Sequence, residues 1–217
     1  MHFSVLGRFS FWGQTMAGAD TAPNQWGLYP IGLKVGGRRC LVVGEGPMAR
    51  RKTEELLACG AIVDAVDSAF APSDLDGAHL VVAATDDLKV QEAVARSATA
   101  RGIPCNVVDV NHLCTFYAPA VLRRGAMTIA VATDGKFPLL AVAIRDRLAA
   151  ALGEAIGPAL ERLGEGRDLA CARFPKDPDE RVAALRRLLS SQALEWILEG
   201  RLDAFEAHWE SWKTELS

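Results

Sequence analysis

The sequence has no apolar run approaching the ~20 residues that a membrane-spanning helix needs, so no such helix is expected in its 217 residues. It has no excess of positive charge. Its 24 Lys and Arg stand against 27 Asp and Glu, a net charge of −3, which argues against non-specific nucleic-acid binding, because that needs a basic face. It has no C-x-x-C pair, and its cysteines are odd in number: Cys40, Cys59, Cys105, Cys114 and Cys171. A zinc site or a disulfide framework is therefore not expected, and buried thiols in a reducing cytosol are. Internal repeats and low-complexity tracts are missing as well. No basic cluster opens the chain and Arg8 interrupts its first apolar stretch, so a secretory signal is not expected. Residues 1–27 read as a flexible tail, with Met16 a plausible natural start.

What is present is an ordinary globular balance, 50% hydrophobic and 24% charged, sufficient for one large domain or two small ones. Residues 28–35 look extended, and Gly36-Gly37 turns the chain. Arg39–Val43 ends in a short apolar run bounded by glycine, as a buried parallel strand does. Residues 48–58 have helical spacing, with Gly60 placed to cap them. Further strands are expected at 61–66, 79–84 and 103–108, with a helix at 90–101 ended by Gly102. Strand alternating with helix at this pace means a parallel sheet with crossover helices. Beyond Asp109 a strand is expected at 127–132 and a helix at 137–148, with Pro138 near its start. Residues 149–217 show only helical periods, broken by a charged, Pro-containing linker at 167–178.

Gly44-Glu45-Gly46-Pro47-Met48-Ala49 fits G-x-G-x-x-G/A, and it follows a strand and opens a helix, the context that gives this motif its meaning. Gly44 permits the tight turn, Gly46 lets backbone approach a pyrophosphate, and Ala49 lets helix pack on strand. The pyrophosphate then meets free N–H groups at the helix N-terminus. Pro47 brings no N–H, which a first helical position tolerates. Asp67 ends the second strand 23 residues after Gly44, where a carboxylate accepts from both ribose hydroxyls of NAD and repels the extra phosphate of NADP. The alternative for Asp67 is an exposed turn residue.

Several segments together carry a more specific resemblance: Tyr29-Pro30-Ile31-Gly32-Leu33, Cys40 to Gly46, Val81-Val82-Ala83-Ala84-Thr85-Asp86-Asp87, Asn106-Val107-Val108-Asp109, Leu113-Cys114-Thr115-Phe116 with Pro119-Ala120, and Arg124 to Ala130. Over about residues 28–150 the chain resembles the precorrin-2 dehydrogenase / sirohydrochlorin ferrochelatase family of siroheme biosynthesis. The resemblance implies oxidation of precorrin-2 to sirohydrochlorin with NAD, and in some members the insertion of ferrous iron afterwards. It implies that Asp109 is the essential carboxylate. A residue at the carboxyl end of a parallel strand lies at the ligand-binding edge, where it would accept the substrate proton or take pyrrole protons during metal insertion. It implies that Thr85 and Asp86 lie beside the nicotinamide half of the cofactor. An N-cap role fits Asp86 or Asp87 equally well. Because the substrate carries many carboxylates, cationic and polar groups are expected around it. The candidates are His112, Arg123, Arg124, Thr133, Lys136 and Arg145, with Arg147 a further cation.

The chain also departs from the family. Only six residues, 68–73, stand where the family has a further helix and strand, so the second strand must pass over the first to the third in about a dozen residues, feasible at ~3.3 Å each. This leaves an exposed edge at 62–66 and one wall fewer around the adenine. The N-terminal tail or another subunit is expected to cover that edge. In addition, Thr133-Asp134-Gly135-Lys136-Phe137-Pro138 replaces the family's Ser/Thr-Gly-Gly-x-Ser-Pro run. The expected fold is thus α/β: a shortened Rossmann-type parallel sheet lacking one strand–helix unit (28–112), a small α+β dimerisation and substrate region (113–150) and a helical C-terminal region (151–217). The expected protein is a cytoplasmic homodimer with NAD as cofactor. The rival readings are a non-catalytic tetrapyrrole- or nucleotide-binding protein and, last, an NAD-sensing module of the kind attached to transporters.

Overall fold

The computed structural model describes residues 27–67 and 69–216. The tail expected at 1–27, and its covering of the sheet edge, fall almost wholly outside the described residues. By its contacts the chain from Lys34 on forms a compact unit of its own, which contains every element described below. Residues 28–35, expected to be extended, belong to no strand.

This unit opens with β1 (Arg39–Val43), α1 (Pro47–Leu57) and β2 (Ile62–Val66). β1 alternates its side chains between two apolar layers. Leu41 and Val43 face a cluster with Val81, Ala83, Val94 and Ala98, and Cys40 and Val42 face another with Ala49, Leu80 and Val82. That period of two on a strand buried on both sides is why its sequence reads as a continuous apolar run. The helix α1 closes at Gly60, whose φ of +75° lets its N–H reach the Leu57 carbonyl at 2.8 Å. Such a left-handed ending suits glycine.

β3 (Leu80–Ala83), α2 (Leu88–Ala100) and β4 (Cys105–Val107) complete a four-stranded parallel sheet in the order β2-β1-β3-β4. Among its described residues the crossover from β2 to β3 holds only a 3₁₀ turn, Pro72–Leu75, too short for a strand–helix unit. Arg39 pins this short connection. Its guanidinium donates to the carbonyls of Asp74 (2.9 Å) and Asp76 (2.8 Å) and pairs with Asp64 at 2.6 Å. Among the described residues β2 pairs with β1 alone and stays half open, with Ile62 58% exposed.

A two-stranded antiparallel sheet follows, β5 (Ala120–Arg124) with β6 (Met127–Val131), then α3 (Pro138–Ala151). β5 is missed by the sequence reading. The helical region comprises α4 (Ile156–Arg173), α5 (Pro178–Leu188), α6 (Ser191–Leu198) and α7 (Leu202–Leu216). The linker expected at 167–178 is a correction. Residues 167–173 are the last turns of α4, because Ala170 among these charges faces the core with 0% exposure. Only 174–177 connects the helices. Trp209 and Trp212 stack at 5.5 Å between ring centroids in a core with Ala170, Ala184 and Leu188. A second cluster of Ala159, Ala193, Ile197 and Phe205 completes the core of this region.

Candidate functional site

Parallel strands all deliver their carboxyl ends to one edge of the sheet, and there the helices that follow present free N–H groups. Gly44, Asp67, Thr85 and Asp109 stand at or just past the ends of β1, β2, β3 and β4. Hydrogen bonds across neighbours hold this edge in register: Gly44 N–H to the Val66 carbonyl (2.8 Å), Ala84 N–H to Val43 (2.7 Å) and Val108 N–H to Ala83 (2.9 Å).

The glycine loop meets the demands read into it. Gly44 has φ +129°, and a Cβ there would run into the Ala84 carbonyl oxygen. A Cβ on Gly46 would meet nothing within 4 Å, so the protein leaves open the space a phosphate needs. Gly46 is the N-cap of α1, and no side chain caps the helix start. The amides of its first turn are therefore left to a ligand. A cleft of about 360 Å³ runs beside the loop, lined by Gly44, Glu45, Ala49, Ala65, Val66 and Asp67 together with Arg50, Thr53 and Glu54 of α1. Asp67 is thus brought together with the glycine loop. One of its carboxylate oxygens accepts from the Ala69 N–H at 2.7 Å, and among the described residues the other makes no hydrogen bond. Arg50, Thr53 and Glu54 were not foreseen. Their spacing of three and four on α1, continuing from Gly46 and Ala49, is the signal that would have found them.

On the other side of β1, Asp87 caps α2, accepting from Lys89 N–H (2.8 Å) and Val90 N–H (3.4 Å). The Thr85 hydroxyl accepts from Asp87 N–H at 3.3 Å, and Asp86 stays exposed.

Asp109 is exposed and has φ +62°, a left-handed conformation costly for any residue with a Cβ and found at functional turns. Its carboxylate has no hydrogen bond or ion pair among the described residues. The turn it stands on is braced from within by Cys114, whose sulfur lies 3.2 Å from both the N–H and the carbonyl oxygen of Val107 and 3.6 Å from the Val110 carbonyl oxygen. Burial, with Cys114 close by, pushes the Cys105 thiol from 9.0 up to about 12, and burial likewise raises Cys40, next to Cys59. The buried Cys40 and Cys105 are therefore neutral packing groups.

The six substrate candidates divide. Residues 133–136 form a turn closed by Lys136 N–H to the Thr133 carbonyl at 2.9 Å. A Cβ on Gly135 would lie 2.8 Å from the Asn111 amide nitrogen. The turn with Thr133 and Lys136 therefore rests on the segment just after Asp109, which also carries the exposed His112. The three arginines are engaged elsewhere. Arg123 donates to the Cys59 sulfur at 3.1 Å, at the end of α1 remote from the glycine loop. Arg124 caps the C-terminus of α3 through the Ala149 and Leu152 carbonyls, both at 3.0 Å, and Arg145 pairs with Asp146. No group of three or more metal-ligating side chains occurs among the described residues, and none of their helices is long and apolar enough to cross a membrane.

A parallel sheet whose strand ends carry an uncapped glycine loop, a cleft with an acidic residue on the neighbouring strand and a free carboxylate two strands away defines a Rossmann-type dinucleotide-binding protein. Residues 31–120 match the family described as "Putative NAD(P)-binding". The chain is 38% identical over 173 residues to a siroheme synthase of Methylobacillus flagellatus, covering 70% of this chain and 37% of that protein. It is 37% identical over 204 residues to a siroheme synthase of Chromobacterium violaceum, covering 84% and 43%. The solved structure titled "SirC, precorrin-2 dehydrogenase" shares the fold, with a TM-score of 0.66 at 22% identity, over 87% of this chain and 98% of that one. The chain is thus similar to siroheme synthases over most of its own length and to the NAD(P)-binding family over residues 31–120. It spans about two fifths of the length of the siroheme synthases it matches.

Proposed function

We propose that the chain oxidises precorrin-2 to sirohydrochlorin with NAD. The observation that carries this reading is Asp109. Its carboxylate has no partner among the described residues, stands on a strained turn, and shares the sheet edge with the glycine loop and cleft. NAD, when bound, takes up the hydride removed from the substrate. In this reading the amides of Met48 and Ala49 hold the pyrophosphate, and Asp67 accepts from the ribose hydroxyls with its free oxygen, which favours NAD over NADP. Thr85 and Asp86 border the nicotinamide. Asp109 accepts the proton lost with the hydride, which balances the oxidation. His112, Thr133 and Lys136 face the substrate carboxylates. Iron insertion is the second activity of the same site, with ferrous iron as substrate and Asp109 taking pyrrole protons. The protein acts as a cytoplasmic homodimer, a reading supported by five free thiols and by the apolar face of α3.

The test is to incubate the purified chain with precorrin-2 and NAD without metal, following NADH absorbance and the sirohydrochlorin spectrum. Turnover is expected, and Asp109→Asn should reduce it by about 10²–10⁴-fold, the range of a general base, while NADH still binds. Folded wild-type protein without turnover would sink the reading. One observation favours the binding-protein alternative: the cleft is open toward β2, where the short crossover supplies no further strand. NAD binding with no oxidation of precorrin-2 would be its signature.

A further inference from the structure

Two polar side chains are buried among the described residues, Gln91 (6% exposed) and Asn106 (8%). Both serve the turn that carries Asp109. Asn106, on β4, donates to the Phe116 carbonyl at 3.1 Å and so helps fold the chain back along β4. Gln91 comes from a different element. It sits on the buried face of α2 with Val94, Ala95 and Ala98, where the apolar period calls for another hydrophobic residue. Its amide nitrogen donates to the Thr85 carbonyl at 2.7 Å and, longer, to the Val108 carbonyl at 3.4 Å. One side chain, with two N–H donors, thus joins the segment that follows β3 to the residue immediately before Asp109. A left-handed aspartate persists only where its surroundings over-determine it. Here Gln91 holds the turn from α2 and Cys114 holds it from within.

We propose that Gln91 is a positioning residue: its amide ties the Thr85 loop to the Asp109 turn and so fixes where the carboxylate stands relative to the nicotinamide side of the site. This rests on the dehydrogenase reading above for its catalytic consequence, but not for its structural one.

The experiment uses the full chain with Gln91→Met, which keeps volume and helix propensity without the donor, and Gln91→Asn, which keeps the amide but shortens its reach by a methylene. In the cofactor-free protein, amide exchange over residues 85–87 and 108–110 should quicken about tenfold in both variants while β1 and α1 keep their protection, the pattern of a local opening. In turnover, kcat should fall at least about tenfold with the KM for NAD within about threefold, as when an interaction specific to the transition state is lost. A merely structural glutamine would instead loosen the whole sheet or leave this split unmoved. Unchanged exchange at 108–110, faster exchange with wild-type kcat, or failure of both variants to fold would each overturn the proposal. Wild-type protein that turns over no precorrin-2 would overturn the function instead, and the exchange measurement would still decide whether Gln91 holds the turn.

Discussion

Gly44 and Gly46 are two residues apart in one motif, yet the structure asks different things of them. Gly44 adopts φ +129° and lies with its Cα against the Ala84 carbonyl. Gly46 has an ordinary φ of −69° and open space where a Cβ would go. Gly44→Ala therefore combines backbone strain with a backbone overlap and should cost about 3 kcal/mol or more. Gly46→Ala should leave stability within about 1 kcal/mol but weaken NAD binding, since its methyl group enters the space left for the pyrophosphate. Urea unfolding and NADH fluorescence titration of the pair check this. Equal loss of stability in both would show that the loop is only a structural turn.

Helix α4 offers the same contrast at the scale of an element. Gly166 is buried where α4 meets α5 and α7. A Cβ there would run into a methyl group of Leu188 and lie 2.9 Å from the Trp209 ring. Gly164 is exposed with nothing within 4 Å. In a bare helix either change to alanine gains about 0.5–1 kcal/mol. Gly164→Ala should keep that gain. Gly166→Ala should lose about 1–2 kcal/mol net, because overpacking a filled core costs about 1–3 kcal/mol. Thermal unfolding of both variants measures the sign, and a stabilised Gly166→Ala would mean that α4 and α7 are not packed this closely. At its other end α4 meets the turn between β5 and β6. There Gly125, at φ +55°, leaves room for only 2.8 Å between a hypothetical Cβ and the Gly157 Cα, so two glycines seat the small sheet on the helical region.

At the scale of the whole molecule, α3 is the element least accounted for by the chain alone. Phe137, Leu139, Leu140, Val142 and Ile144 are 58%, 71%, 50%, 37% and 41% exposed. The two-stranded sheet beside it is of a size that rarely stands unaided in water. A second copy of the chain over this face, as proposed above, would account for both. The protein should run as a dimer in light scattering at tens of micromolar, and Leu139→Glu with Leu140→Glu should give a folded monomer. A wild-type monomer at that concentration would refute the homodimer.

Much of this was legible in the sequence because it depends on neighbours along the chain. The limits of β1 follow from a run of five residues between charge and glycine. The glycine loop, the lost strand–helix unit and the placing of Asp67 and Asp109 at strand ends follow from spacing and resemblance. What the sequence hid depends on residues far apart in it. The charges after Arg167 read as a linker, since only packing against α5 and α7 reveals that Ala170 among them faces a core. Arg123 and Arg124 read as substrate cations, since nothing local says that one reaches Cys59 and the other a helix end 25–28 residues on. Gln91 carries no signal in the sequence, because the carbonyls it joins are brought together only when β3 and β4 pair. The sequence by itself determined most of the strands and helices of the parallel sheet, since these are settled by periodicity and by glycine and proline within a few residues, but not β5 or the end of α4. The tertiary structure alone decided which polar groups meet, because a hydrogen bond between distant segments exists only once the sheet has set their separation.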